Sequence, residues 1–248
     1  MVICEKEVRS LLHDPGEMLI RLVNPVLWLA VFGAALSYKV TIGRTPAEYQ
    51  QFILPGILIH TVLITGAVYG ISLKWESETG ALGKLLAAPI PRTSVVLGKA
   101  LAAVVRAFIQ MGVLLLTARI LGIGYSLNPL AILLSAGMVL VFVLGFASLY
   151  IIVAMISGTV RAYTGLTGLL QMPFFFASNS LYTLDGAPYW LRVVAGLNPV
   201  TYAVDFVRQI MIYNNWDVLL LLRDFAFVSV CTFAGIAVAT MVFRRKVT

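Results

Sequence analysis

The six residues GALGKL at 80–85 are the nearest this chain comes to a loop that could cradle a phosphate. A nucleotide-binding loop of that kind reads G-x-x-x-x-G-K followed by Ser or Thr, whose hydroxyl holds magnesium while backbone N–H groups hold the phosphate oxygens. Here the spacing is short and Leu85 stands where the hydroxyl is needed. Other hydrolytic chemistry has no better material, because the chain holds two histidines, no H-E-x-x-H and no G-x-S-x-G. Cys4 and Cys231 lie at opposite ends of the sequence, with no spacing suited to a metal or a disulfide framework. No catalytic, metal or cofactor site is expected here. If this protein pumps anything, its energy comes from another subunit.

Two ionisable side chains do fall inside apolar stretches, His60 in PGILIHTVL and Arg106. An imidazole at such a place can relay a proton or touch a substrate, or it can be a neutral ring hydrogen-bonded to a neighbouring helix. Arg106 can snorkel toward phosphate headgroups or meet an anionic substrate. All eleven acidic residues lie outside the apolar cores. An ion-coupled transporter usually needs an ionisable or carbonyl-lined site near mid-membrane, most commonly a carboxylate, and the lack of one in the spans argues against that class.

The elements that must position these groups follow from composition. Sixty per cent of the residues are hydrophobic and 12% charged, with a mean hydropathy of +0.94. A water-soluble core of this size cannot absorb so much apolar surface, so the bilayer is the solvent. The first twenty residues carry charges of both signs and do not read as a signal peptide. A span takes about 20 apolar residues, and that window predicts six: 22–38, 53–73, 94–121, 129–157, 162–181 and 225–243. The expected fold is therefore an all-α membrane protein, a single transmembrane domain over 1–248. Eleven of the 18 lysines and arginines fall on one side of this arrangement and six on the other, Arg106 being left within a span. By the positive-inside bias both termini are cytoplasmic, with RRK at 244–246 as a stop.

Two stretches outside the spans carry helical spacing. Residues 1–21 place Ile3, Val8, Leu11 and Leu12 on one side, which suits an amphipathic helix lying on the cytoplasmic surface. The external interval 182–218 has a short apolar run at Trp190–Leu197, a stop at Asn198–Pro199, and a restart in which Asp205 and Arg208 form an i,i+3 pair. Short helices re-entering the outer leaflet are expected there. Gly66 and Gly70, and likewise Gly33 and Ser37, form small-xxx-small pairs that serve either dimerisation or packing within one chain.

The most informative polar insert is ESETGALGKLLAAPIPRTSVVLGK, Glu76 to Lys99. Ser77 or Thr79 can cap a short helix whose apolar side is Leu82, Leu85 and Leu86, with Glu76 and Glu78 near its positive end. Pro89 and Pro91 end it, and the next span starts after Arg92 with Thr93 or Ser94 as cap. The spacing predicts a stiff cytoplasmic elbow over 76–89 that presents leucines and carboxylates to a partner.

This stretch resembles the segment between the second and third spans of type-2 ATP-binding-cassette exporter permeases. There a run E-x-x-[TG]-G-x-[LM]-x-x-L-x-x-[AST]-P-x-x-R precedes a Gly-Lys pair. LLHDPGEMLIRLVNPVLWLAVFG at 11–33, FILPGIL at 52–58 and LNPVTYAVDFVRQ at 197–209 are similar to the same family in the same order. The branch looks closest to exporters of drugs, antibiotics and nodulation factors. The resemblance implies two permease copies, each docking a separate ATPase subunit that carries ATP and magnesium, in a prokaryotic plasma membrane. It implies ATPase contacts at Glu76, Glu78, Thr79, Gly80, Leu82, Leu85, Leu86, Pro89 and Arg92, and through the N-terminal surface helix. The pathway would take an amphipathic or lipid-linked molecule, with His60, Arg106, Tyr69, Phe174, Phe175 and Tyr182 as candidate lining. The alternative is a secondary transporter or channel not coupled to ATP. Two features depart from the family: only APYW stands where it is often proline-rich, and the turn at 157–165 is short.

Overall fold

The computed structural model describes residues 23–33, 35, 45–81, 83 and 92–246, and every regular element among them is a helix. Residues 23–33 are helical and widen to π geometry over Trp28–Phe32. Seven α-helices follow: α1 (Pro46–Glu78), α2 (Arg92–Ile120), α3 (Pro129–Ile156), α4 (Val160–Phe176), α5 (Tyr189–Leu197), α6 (Pro199–Met211) and α7 (Val218–Lys246). The expected surface helix over 1–21 lies outside the described residues.

Local chemistry sets the helix ends. Thr45 opens α1 with a capping box: its backbone N–H donates to Glu48 Oε2 at 2.8 Å and its hydroxyl accepts from Glu48 N at 3.4 Å. Pro46 follows at the first helical position, where its missing N–H costs nothing. The helix then runs to Glu78, with Thr79 as its C-cap and Gly80 turning the chain at φ +75°. The second expected span, 53–73, is therefore part of a longer helix that extends beyond it at both ends. Asn128 and Thr159 cap α3 and α4 by accepting from Leu130 N and Ala162 N.

Four of these helices are long and apolar enough to cross a membrane, the cores of α1, α2, α3 and α7. The expected span 162–181 is shorter than predicted. Pro173 lies near the end of α4, and the chain then folds Ser178, Asn179 and Ser180 into the interior rather than continuing as helix. The sixth expected span starts earlier than 225, because Asp217 accepts from Leu219 N and Leu220 N and so starts α7 at Val218.

α3 is the hub, with α1, α2 and α7 all packed on it. In α1, 78% of the most apolar stretch is buried, against 17% in α7. Thus α1 is an inner helix and α7 gives most of its surface to whatever surrounds the chain. The glycine pair of α1 is used inside the chain. A Cβ on Gly66 would come within 3.0 Å of Ala147 N, and one on Gly70 within 2.8 Å of Tyr150 O and against the Tyr163 hydroxyl. These glycines let α3 and α4 approach α1 closely.

The interval 182–218 holds two helices joined at one asparagine. Asn198 caps α6 by accepting from Val200 N at 3.0 Å, and its Nδ2 donates to the carbonyls of Phe174 at 2.8 Å and Ala177 at 2.9 Å. One side chain thus starts α6 and closes the end of α4. α6 is largely buried, whereas Tyr189, Trp190, Val193, Val194 and Leu197 of α5 are exposed.

Candidate functional site

Three parts of the molecule bear on function: the end of the bundle that holds Glu78, the opposite end that holds Asn198, and the aromatic and polar side chains between them.

At the Glu78 end the expected elbow helix does not begin at residue 76. Glu76 and Glu78 occupy the last turn of α1, the negative end of that helix, not the positive end of a new one. Partners on neighbouring elements offset this placement. Glu76 forms an ion pair with Lys99 of α2 at 3.0 Å, and Lys99, 1% exposed, also donates to Ser72 Oγ at 2.9 Å. Glu78 Oε1 accepts from Val160 N at 2.7 Å, which gives α4 an anion at its positive end. Lys74, also buried, donates to the carbonyl of Ser157 at 2.7 Å. Lys74 and Lys99, counted from the sequence among the cytoplasmic charges, are internal ties between helices. Thr79 donates to the carbonyl of Trp75 at 2.9 Å, and Gly80 is exposed. Ala81 and Gly83 have helical backbone, while Leu82, Leu85, Leu86 and Pro89 lie outside the described residues. Arg92 opens α2, so Thr93 and Ser94 stand inside that helix rather than capping it.

At the Asn198 end the pair Asp205–Arg208 forms, at 3.3 Å, as its spacing predicts. Its surroundings could not be read from spacing. Arg208 is buried, donates from Nε to the Phe52 carbonyl at 3.2 Å and from Nη2 to the Asn179 carbonyl at 2.8 Å, and lies 3.9 Å from the Phe52 ring centroid. Asn179 Nδ2 donates to Asp205 in turn. Tyr49 donates to the Leu181 carbonyl at 3.2 Å, tying α1 to the same turn.

The six pathway candidates separate into distinct groups. His60 stacks on Phe175, with ring centroids 3.9 Å apart and planes at 29°, and meets Trp28 edge-on at 6.1 Å. Its ring is held by aromatic contact. Phe174 packs edge-on against Phe146 at 5.1 Å and lines a separate cavity of about 120 Å³ between α3 and α7. Tyr69 donates to the Ala102 carbonyl at 3.0 Å, and Arg106 lies 5.6 Å from its ring centroid. Arg106 is 7% exposed in the middle of α2, so its side chain turns toward α1 instead of reaching along the helix to a headgroup. The Tyr182 hydroxyl donates back to the Phe176 carbonyl.

A larger cavity, about 270 Å³, adjoins His60. Besides Trp28 and His60 it is lined by Asn24, Thr61, Thr65 and Gln110, none of which stood out from the sequence. The available signal was HTVLIT, where two threonines four apart share a face of an otherwise apolar helix.

A bundle with four helices long and apolar enough to cross a membrane defines a multi-pass membrane protein. Residues 1–212 match the family described as ABC-2 type transporter, and the chain belongs to that family. It is 29% identical to a protein named as a transport permease, ycf38 of Cyanophora paradoxa, over 84% of this chain and 72% of that one. It is 22% identical to the daunorubicin resistance ABC transporter permease DrrB1 of Streptomyces coeruleorubidus, over 85% and 74%. DrrC of Mycobacterium tuberculosis, named for doxorubicin resistance, is 25% identical over 75% of this chain and 67% of its own. The chain is thus similar to transmembrane subunits of ABC transporters.

Proposed function

We propose that this chain is the transmembrane subunit of an ATP-driven exporter, and that a separate ATPase subunit drives it through residues 76–89. The observation that carries this reading is the family match over residues 1–212. The geometry of α1 supplies a mechanism. It is one helix of 33 residues, about 50 Å at the usual rise per residue, and it joins the proposed docking segment to the cavity at His60. Lys99 and Val160 hold its last turn to α2 and α4, so a push on the elbow moves three helices together rather than bending one. Leu82, Leu85 and Leu86 supply apolar anchors for a cleft in the ATPase. ATP and magnesium reside on that subunit.

In this reading the chain crosses a prokaryotic plasma membrane six times with both termini inside. The first span contains Trp28–Phe32, and α4 with the turn after it forms the fifth. α5 and α6 re-enter the outer leaflet, and two permease copies face each other. The cargo is amphipathic or lipid-linked, in keeping with the drug-resistance names of DrrB1 and DrrC.

The test is co-purification with a P-loop ATPase and ATP-driven uptake into inverted vesicles. Leu85→Asp and Leu86→Asp are expected to insert normally yet lose the ATPase, because a charge would enter an apolar cleft. Unchanged pull-down by both variants would remove the docking role of the elbow. Transport sustained by an ion gradient in vesicles without any ATPase would replace the exporter by a secondary transporter.

A further inference from the structure

We infer that the cavity between the Trp28 segment, α1 and α2 is a binding site for the uncharged, hydrogen-bonding aromatic end of the cargo. The inference rests on the exporter reading and adds the chemistry of the ligand to it.

Size limits the guest first. About 270 Å³ is roughly the volume of nine liquid waters and lies just below the range for drug-sized pockets. The site therefore takes one ring system of a larger molecule, not all of it. Asn24 is exposed at the rim, whereas Thr61, Thr65 and Gln110 are at most 7% exposed at the floor.

The walls then decide the chemistry. Trp28 and His60 offer aromatic surface, and both are steadied by Phe175. Thr61 donates its hydroxyl to the Ile57 carbonyl at 2.8 Å, so its oxygen keeps only acceptor capacity for a guest. Thr65 lies 3.0 Å from the Thr61 carbonyl and is hydrogen-bonded to the Gln110 amide as well. One hydroxyl hydrogen cannot serve both acceptors, so the Thr65–Gln110 pair can turn either a donor or an acceptor toward a guest. Among the described residues lining the cavity there is no Asp, Glu, Lys or Arg. A charged guest would lose its water without gaining a counter-charge, which is far more costly than burying an amide or hydroxyl that finds partners. The same amide and hydroxyl groups penalise a purely hydrocarbon ring, because it leaves them unpaired.

The experiment uses the full chain in neutral-lipid nanodiscs and three radiolabelled probes: 2-naphthamide, trimethyl(2-naphthyl)ammonium and 2-methylnaphthalene. Saturable binding of the amide is expected, at least tenfold tighter than of the cation or the hydrocarbon after correction for partition into empty discs. Gln110→Leu and Thr65→Val are expected to weaken the amide about tenfold each and to tighten the hydrocarbon, with Thr65→Ser restoring most of the amide loss. Cys231→Ser, in the other cavity, is expected to bind like the parent. Equal binding of the cation, an amide affinity unchanged in both polar variants, or no saturable binding would each overturn the site. The two levels separate in the transport assay. ATP-driven export unaffected by Gln110→Leu and Thr65→Val would sink the site and leave the exporter. Selective amide binding by a chain that exports nothing with ATP would support the site and sink the exporter.

Discussion

The two ends of the bundle are built from similar residues and are held in different ways. At the Asn198 end, Asp205, Asn179 and two backbone carbonyls join in one connected network centred on the buried Arg208, and Asn198 adds three more hydrogen bonds. At the Glu78 end, three separate ties join α1 to α2, to the Ser157 carbonyl and to α4, and they share no common centre. Connected buried hydrogen-bond networks rigidify the elements they join. Separate ties can be exchanged one at a time. The difference makes the Asn198 end a fixed frame, and under the proposed function it leaves the Glu78 end as the part that a partner can move.

Removing the centre of the Arg208 network should do the most harm. Arg208→Met leaves the Asp205 carboxylate and the Phe52 and Asn179 carbonyls without their cation, and is expected to cost about 3–5 kcal/mol, read as the loss of thermal stability in detergent. A cost below that of any single change at the Glu78 end would break the contrast. Asn198→Ala comes next, at about 2 kcal/mol, because it deletes a cap and orphans two carbonyls at once; the same melting experiment reads it.

Gly70→Ala asks whether the tight approach at the Glu78 end is intramolecular. The added methyl meets backbone at Tyr150, so about 1–3 kcal/mol is expected from overpacking. Loss of a dimer on a sizing column with melting unchanged would instead place this glycine between copies. The smallest stability effect is expected for Glu78→Gln, about 1 kcal/mol or less at an exposed site, accompanied by a weaker response of ATPase turnover to cargo. Parental coupling in both Glu78→Gln and Glu76→Gln would show that these ties do not carry the motion.

The positions of these groups along the chain were legible to different degrees. The apolar runs reveal α1, α2, α3 and α7 because about 20 consecutive apolar residues have few other solutions. The i,i+3 spacing of Asp205 and Arg208 reveals that pair because both lie on one helix. The carbonyl of Phe52, which Arg208 also meets, lies 156 residues away along the chain. The partners of Lys99 and Lys74 were hidden for a related reason. A lysine next to a span reads as a charge in water, and only the carboxylate and carbonyl brought to them from other helices make their burial affordable.

Composition and periodicity alone determined that the chain is a helical membrane protein and where its longest apolar helices fall. These are local properties, set by how 3.6-residue spacing and side-chain solvation act within one segment. Which helix is central, where Glu76 and Glu78 find their partners, and that Asn24, Thr61, Thr65 and Gln110 meet around one cavity were decided by tertiary structure. Such groups become neighbours only when separate helices pack, and glycines such as Gly66 and Gly70 decide how closely they may.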